Sequence, residues 1–76
     1  MKKQAVVLKW RNKFSGEEGY VRSVRPSYDM FINTFNKGEA KIYPCEGSAQ
    51  YVKDLNTLER IGETVNNIFF AEAWEQ

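Results

Sequence analysis

The chain predicts a small α+β fold: a mainly antiparallel sheet in the order ββββαβ with one helix packed on one face, residues 1–76 forming a single domain. Three observations carry that expectation. Val6, Leu8 and Trp10 alternate with Ala5, Val7, Lys9 and Arg11, the two-residue repeat of a strand with one buried side. Tyr51, Val52, Leu55, Leu58 and Ile61 recur at spacings of three and four, the repeat of a helix with one apolar side. The run Ile68-Phe69-Phe70-Ala71-Glu72-Ala73-Trp74 is apolar on both sides near its start, which places a last strand at the centre of the sheet rather than at its edge.

In order, the first strand spans Gln4 to Arg11, with Val6, Leu8 and Trp10 as its buried set. Asn12 to Gly19 carries Ser15-Gly16 and Glu17-Glu18-Gly19, turn residues and charges that return the chain. A second strand runs from Tyr20 to Val24, until Pro26, which has no N–H to give a ladder, ends it. Met30 to Phe35 resumes an extended pattern, with Phe31 and Phe35 on one side and Met30, Ile32 and Thr34 on the other.

Phe35-Asn36-Lys37-Gly38 reads as a hairpin turn returning into a strand at Glu39 to Tyr43, with Ala40 and Ile42 on one face. Asn36 three residues before Glu39 also matches a capping box, which would make residues 37–43 a helical turn. The hairpin is favoured, because Pro44 leaves little room for a helix. The helix begins after Gly47 with Ser48 as its N-cap, and Gly62 is placed to end it in the left-handed conformation.

Composition excludes several classes. The 76 residues contain no histidine and one cysteine, Cys45, so neither a histidine base nor an internal disulfide is available. Glu17-Glu18 reads as solvated turn charge and Ser48 as a cap, and no zinc-ligand spacing is present. The expectation is a non-enzymatic protein with no metal and no cofactor. An unpaired cysteine fits a reducing compartment, and the apolar run after Lys2-Lys3 stops at Lys9, short of the roughly 7–15 residues of a signal peptide; a cytoplasmic protein without membrane association is expected.

Charge is uneven along the chain. Seven of the eleven Lys and Arg lie in residues 1–25 with two of the ten acidic residues, which predicts a basic front on the first two strands. With the helix on one side of the sheet, the other face is expected to be open, with Val7, Lys9, Arg11 and Arg22 on it and Tyr20, Tyr28 and one side of Phe69 as possible neighbours.

The candidate binding surface is Lys9, Trp10, Arg11, Phe14, Tyr20 and Arg22, since Trp, Tyr and Arg are the usual interface anchors. The alternation also puts Trp10 in the core, and the sequence leaves buried ring against exposed anchor open for Trp10 and for Trp74. Two partner classes follow. One is a protein; the other is nucleic acid held by the basic hairpin, cations meeting phosphates and rings stacking on bases. A homodimer through an edge or face, binding a small ligand, is a third possibility.

Lys9-Trp10-Arg11-Asn12-Lys13-Phe14-Ser15-Gly16-Glu17-Glu18-Gly19-Tyr20-Val21, Glu39-Ala40-Lys41 with Tyr43, and Ile61-Gly62-Glu63 before Asn66-Asn67 resemble short phage and prophage-type proteins of low-GC Gram-positive bacteria. The resemblance implies a phage or prophage accessory protein that occupies and inhibits or modulates a host or defence protein, an antidefence-type role. It carries over no site residue.

Overall fold

The computed structural model describes residues 4–74. Five strands and one α-helix follow the expected order: β1 (Val6–Asn12), β2 (Glu18–Arg25), β3 (Met30–Thr34), β4 (Ile42–Tyr43), α1 (Ala49–Val65) and β5 (Asn67–Ala73). Single 3-10 turns at Pro26–Tyr28 and Lys37–Glu39 flank β3.

β1 is the centre of a curled, fully antiparallel sheet. Along one edge it pairs with β5 over its whole length, from Val6 opposite Ala73 to Asn12 opposite Asn67. Its other edge is shared. Lys9, Trp10 and Arg11 face Tyr20, Gly19 and Glu18 of β2, while Val6 and Val7 face Tyr43 and Ile42 of β4. β2 can leave β1 there because it bends: Val21 pairs with Asn33 and Ser23 with Ile32, so Arg22 is an extra, bulged residue that sharpens the local twist.

Two expectations are corrected by this topology. β5 pairs only with β1 among the described residues, so it is an edge strand and β1 is the central one. Its apolar character serves packing on both sides of an edge, not burial between two neighbours. The hairpin at residues 35–43 is also overturned. Asn36 caps a 3-10 turn by accepting from the Gly38 N–H at 2.9 Å, and β4 then pairs with β1 instead of returning along β3.

The core lies between the sheet and α1. Val6, Leu8 and Trp10 of β1 meet Val21, Tyr43, Tyr51, Leu58 and Ile61, with Phe31, Leu55, Phe69 and Ala71 packed around them. Ser48 caps α1 as expected, its hydroxyl accepting from the Tyr51 N–H at 3.3 Å. The helix does not stop at Gly62. It continues to Val65 and ends at Asn66, whose φ of 61° supplies the left-handed cap. Gly62 has another task, because a Cβ there would lie 2.6 Å from the Asn67 carbonyl oxygen and 3.1 Å from the Phe69 ring. Its bare backbone lets the helix rest on the start of β5.

The buried side of α1 also differs from the expected stripe: Val52 is exposed, while Asp54 and Thr57 face inward. Asp54 is tied on both oxygens. Oδ2 accepts from Tyr43 Oη at 2.6 Å and Lys41 Nζ at 2.8 Å, and Oδ1 accepts from Gln50 at 2.8 Å. Burial pushes this carboxyl up, but the three hydrogen bonds and the Lys41 charge outweigh it and hold the group below its ordinary value. Burial and the same carboxylate push the Tyr43 hydroxyl far above its ordinary range.

Candidate functional site

The antiparallel register places Lys9 and Arg11 of β1, Glu18 and Tyr20 of β2, and Ile68, Phe70 and Glu72 of β5 on the sheet face away from α1. Their charges alternate. The Arg11 Nε donates to Glu18 Oε2 at 2.6 Å, and Lys9 Nζ stands 3.3 Å from Glu18 Oε1 and 3.6 Å from Glu72 Oε1. Glu72 Oε2 in turn takes Lys37 Nζ at 3.0 Å and the Tyr20 hydroxyl at 2.8 Å. The result is a continuous row, Arg11–Glu18–Lys9–Glu72–Lys37, across four segments of the chain.

Rings flank the row: Lys9 Nζ lies 5.7 Å from the centre of the Tyr20 ring, and the Arg11 guanidinium 5.7 Å from that of Phe70. Hydrogen bonds from Arg11 and Lys9 hold the Glu18 carboxyl below its ordinary value. Partial burial raises that of Glu72, yet bonds from Lys37 and Tyr20 leave it lowered overall. Burial likewise works against the charged Lys9, and Glu18 and Glu72 more than reverse it.

The expected open basic face is therefore corrected. Three cations on it are matched by two carboxylates, and Val7, on the same face, is fully buried, so that end of the face is covered. Glu18, Glu72 and Lys37 were not among the candidate residues, and neither was Phe70. Tyr28 stands in the 3-10 turn before β3, and Phe69 packs on the helix side against Phe31 at a ring separation of 5.3 Å.

Of the six candidate residues, Lys9, Arg11 and Tyr20 come together on this face. Trp10 does not join them. It points to the helix side, 5% exposed, with its indole against the Gly19 backbone, where a Cβ would lie 2.7 Å from the ring. That close approach is why β2 has glycine opposite Trp10. The indole N–H has no acceptor among the described residues. Arg22 is exposed on the β2 bulge, away from the paired charges.

Phe14 lies in the β1–β2 turn, 82% exposed. The turn is built by Asn12, whose Oδ1 accepts from the backbone N–H groups of Phe14 and Ser15 at 3.0 and 2.9 Å, while its Nδ2 donates to Asn67 Oδ1 at 3.0 Å. One side chain thus fixes the turn to the start of β5. Phe35 follows Thr34, which pairs with Tyr20, and its ring meets Trp10 edge-on at 6.1 Å while remaining 66% exposed. Val65 at the helix end and Ile68 at the start of β5 are exposed at this same end of the sheet. The hairpin end thus carries two exposed phenyl rings, Phe35 on the Trp10 side of the sheet and Phe14 in the turn, and two exposed aliphatic side chains, of which Ile68 lies on the opposite face beside Arg11.

Among the described residues no group of three or more His, Cys, Asp or Glu side chains is arranged to hold a metal ion, and no helix is long and apolar enough to cross a membrane. Compared with protein-family models, curated proteins and solved structures, the chain matches none of them.

Proposed function

We propose that the chain is a small non-enzymatic binding protein that docks on another protein through its hairpin end, with Phe14 and Phe35 as anchors and Arg11 at the rim. The observation that carries this reading is the exposure of Phe14 and Phe35 at the end of the sheet where the β1–β2 turn is pinned. Large rings held on a fixed backbone lose little freedom on docking and remove much apolar surface from water. The resemblance to phage and prophage-type proteins makes a host or defence protein the partner class to test first, with inhibition or modulation as the outcome.

The nucleic-acid reading is disfavoured by the same geometry. Lys9, Arg11 and Lys37 each already face a carboxylate, so a phosphate would have to displace Glu18 or Glu72 to reach them.

The test is capture from a host lysate with the wild-type chain and with the Phe14→Ala/Phe35→Ala pair, followed by titration of the purified captured protein. A partner retained by the wild type and bound at least tenfold more weakly by the pair supports the reading. Equal retention by both, or recovery of nucleic acid alone, overturns it.

A further inference from the structure

β5 presents an edge whose backbone groups can be assigned one by one. Trp74 N–H donates to the Ala5 carbonyl at 2.9 Å and Lys13 N–H to that of Asn66 at 2.8 Å, which fixes the phase of the β1–β5 ladder. Hydrogen-bonded pairs therefore fall at Val7–Glu72, Lys9–Phe70 and Arg11–Ile68. The intervening residues Asn67, Phe69, Ala71 and Ala73 turn their N–H and C=O groups away from β1. Gly62 of α1 rests beside the Asn67 carbonyl, which among the described residues leaves Phe69, Ala71 and Ala73 open.

The remaining long edge, β3, is protected differently. It is five residues long, set between two 3-10 turns and distorted by the bulge at Arg22. Bulges and short strands blunt an edge against pairing. β5 has seven residues in unbroken register and neither proline nor lysine, and a groove of about 740 Å³ lined by Val6, Ala71, Ala73 and Pro44 adjoins its C-terminal half.

We propose that β5 is a self-association edge: two copies of this chain pair their β5 strands antiparallel about a two-fold axis at Phe70, joining two sheets into one. The register is self-complementary. Phe70 faces its own copy, and Phe69 of one copy faces Ala71 of the other, a large side chain against a small one. Ile68 of one copy faces Glu72 of the other, which covers an exposed Ile68 and puts half-exposed Arg11, the cross-strand neighbour of Ile68, in the same row as the opposing carboxylate. The inference rests on the sheet register and shares Arg11 and Ile68, but neither the Phe14 nor the Phe35 anchor, with the docking end, so either can fail alone.

The test is light scattering on size-exclusion fractions over a concentration series reaching millimolar protein, read against the thermal melt of each variant. The wild type is expected to double its mass as concentration rises. Ala71→Pro removes an N–H that the fold itself does not use, and Phe70→Lys sets two ammonium groups opposite each other; each is expected to weaken dimerisation at least tenfold. If Ala71→Pro unfolds, Phe70→Lys alone decides. A wild type that stays monomeric throughout, or folded variants that dimerise as tightly as the wild type, overturns the proposal.

Discussion

On the helix side of β1, Val6, Leu8 and Trp10 lie under Tyr51, Leu58 and Ile61; on the other side, one residue out of step, Lys9 and Arg11 stand in a row of alternating charge with Glu18, Glu72 and Lys37. The strand and its backbone are the same for both faces. What differs is the surroundings: one face is sealed by the helix, and the other holds charges at 20–50% side-chain exposure. Interactions of the first kind gain from excluding water, while those of the second are screened by it. From Leu8 to Arg11 the strand thus separates stability from surface character by parity, while Val7, on the outer parity, is buried as well.

The largest effect that tests this contrast is truncation under the helix. Leu8→Ala is expected to cost about 3 kcal/mol in denaturant unfolding, a large share of the roughly 4–11 kcal/mol available to a chain of this size. A loss below about 1 kcal/mol would mean that α1 does not seal that face.

Next comes the buried polar cluster around Asp54. Asp54→Ala leaves the Tyr43 hydroxyl buried without its acceptor and Lys41 without its counter-charge, and about 2–3 kcal/mol should be lost. Tyr43→Phe, which removes the hydroxyl and leaves Asp54 its other two donors, should cost less.

The pH profile of stability follows from the same groups. Asp54, Glu18 and Glu72 are held below their ordinary values of 3.8 and 4.5, so their contribution is complete above that range and is lost as pH falls through it. Tyr43 and Tyr20 are pushed above their ordinary value of 10.0; the unfolded chain ionises there before the folded one, and stability declines again as pH rises past it. Melting temperature should therefore be flat between these limits and fall on both sides, and a monotonic profile would contradict the assignment.

Smaller still is the outer row. A double-mutant cycle of Lys9→Met with Glu72→Gln should give a coupling below about 1 kcal/mol that shrinks further in high salt. A salt-independent coupling of several times that size would show the row to be sealed from water. At the bottom of the scale, Phe14→Ala should leave stability within about 0.5 kcal/mol of the wild type, since its ring is 82% exposed and outside the core, while the proposed docking predicts weaker partner binding.

Much of the sealed face was legible in the sequence because its signals are local. The alternation at Val6, Leu8 and Trp10, the Ser48 cap and most of the helix stripe depend on residues within a few positions of one another. The outer row was not, since Lys9 reaches Glu72 only through the β1–β5 register, and no local pattern couples residues so far apart in the chain. The same holds for Gly62, which reads as a helix terminus until β5 is seen against it, and for β4, whose two residues choose β1 over β3 only because β2 bends away at Arg22. Asn36 had both readings, and the side-chain acceptor for Gly38 N–H decided for the 3-10 turn. In the sequence Trp10 reads both as core and as contact, and its place in the core with Val6 and Leu8 turns it inward.

The outer-row cations Lys9, Arg11 and Lys37 are paired with carboxylates, and the proposed contact surface is the exposed phenyl rings of Phe14 and Phe35. Titration of the purified chain with single- and double-stranded oligonucleotides at two salt concentrations tests this most directly. The expected result is no saturable binding below millimolar at either salt concentration. Micromolar affinity that falls steeply with added salt would contradict it, because only cations free to release counterions from phosphates give that dependence.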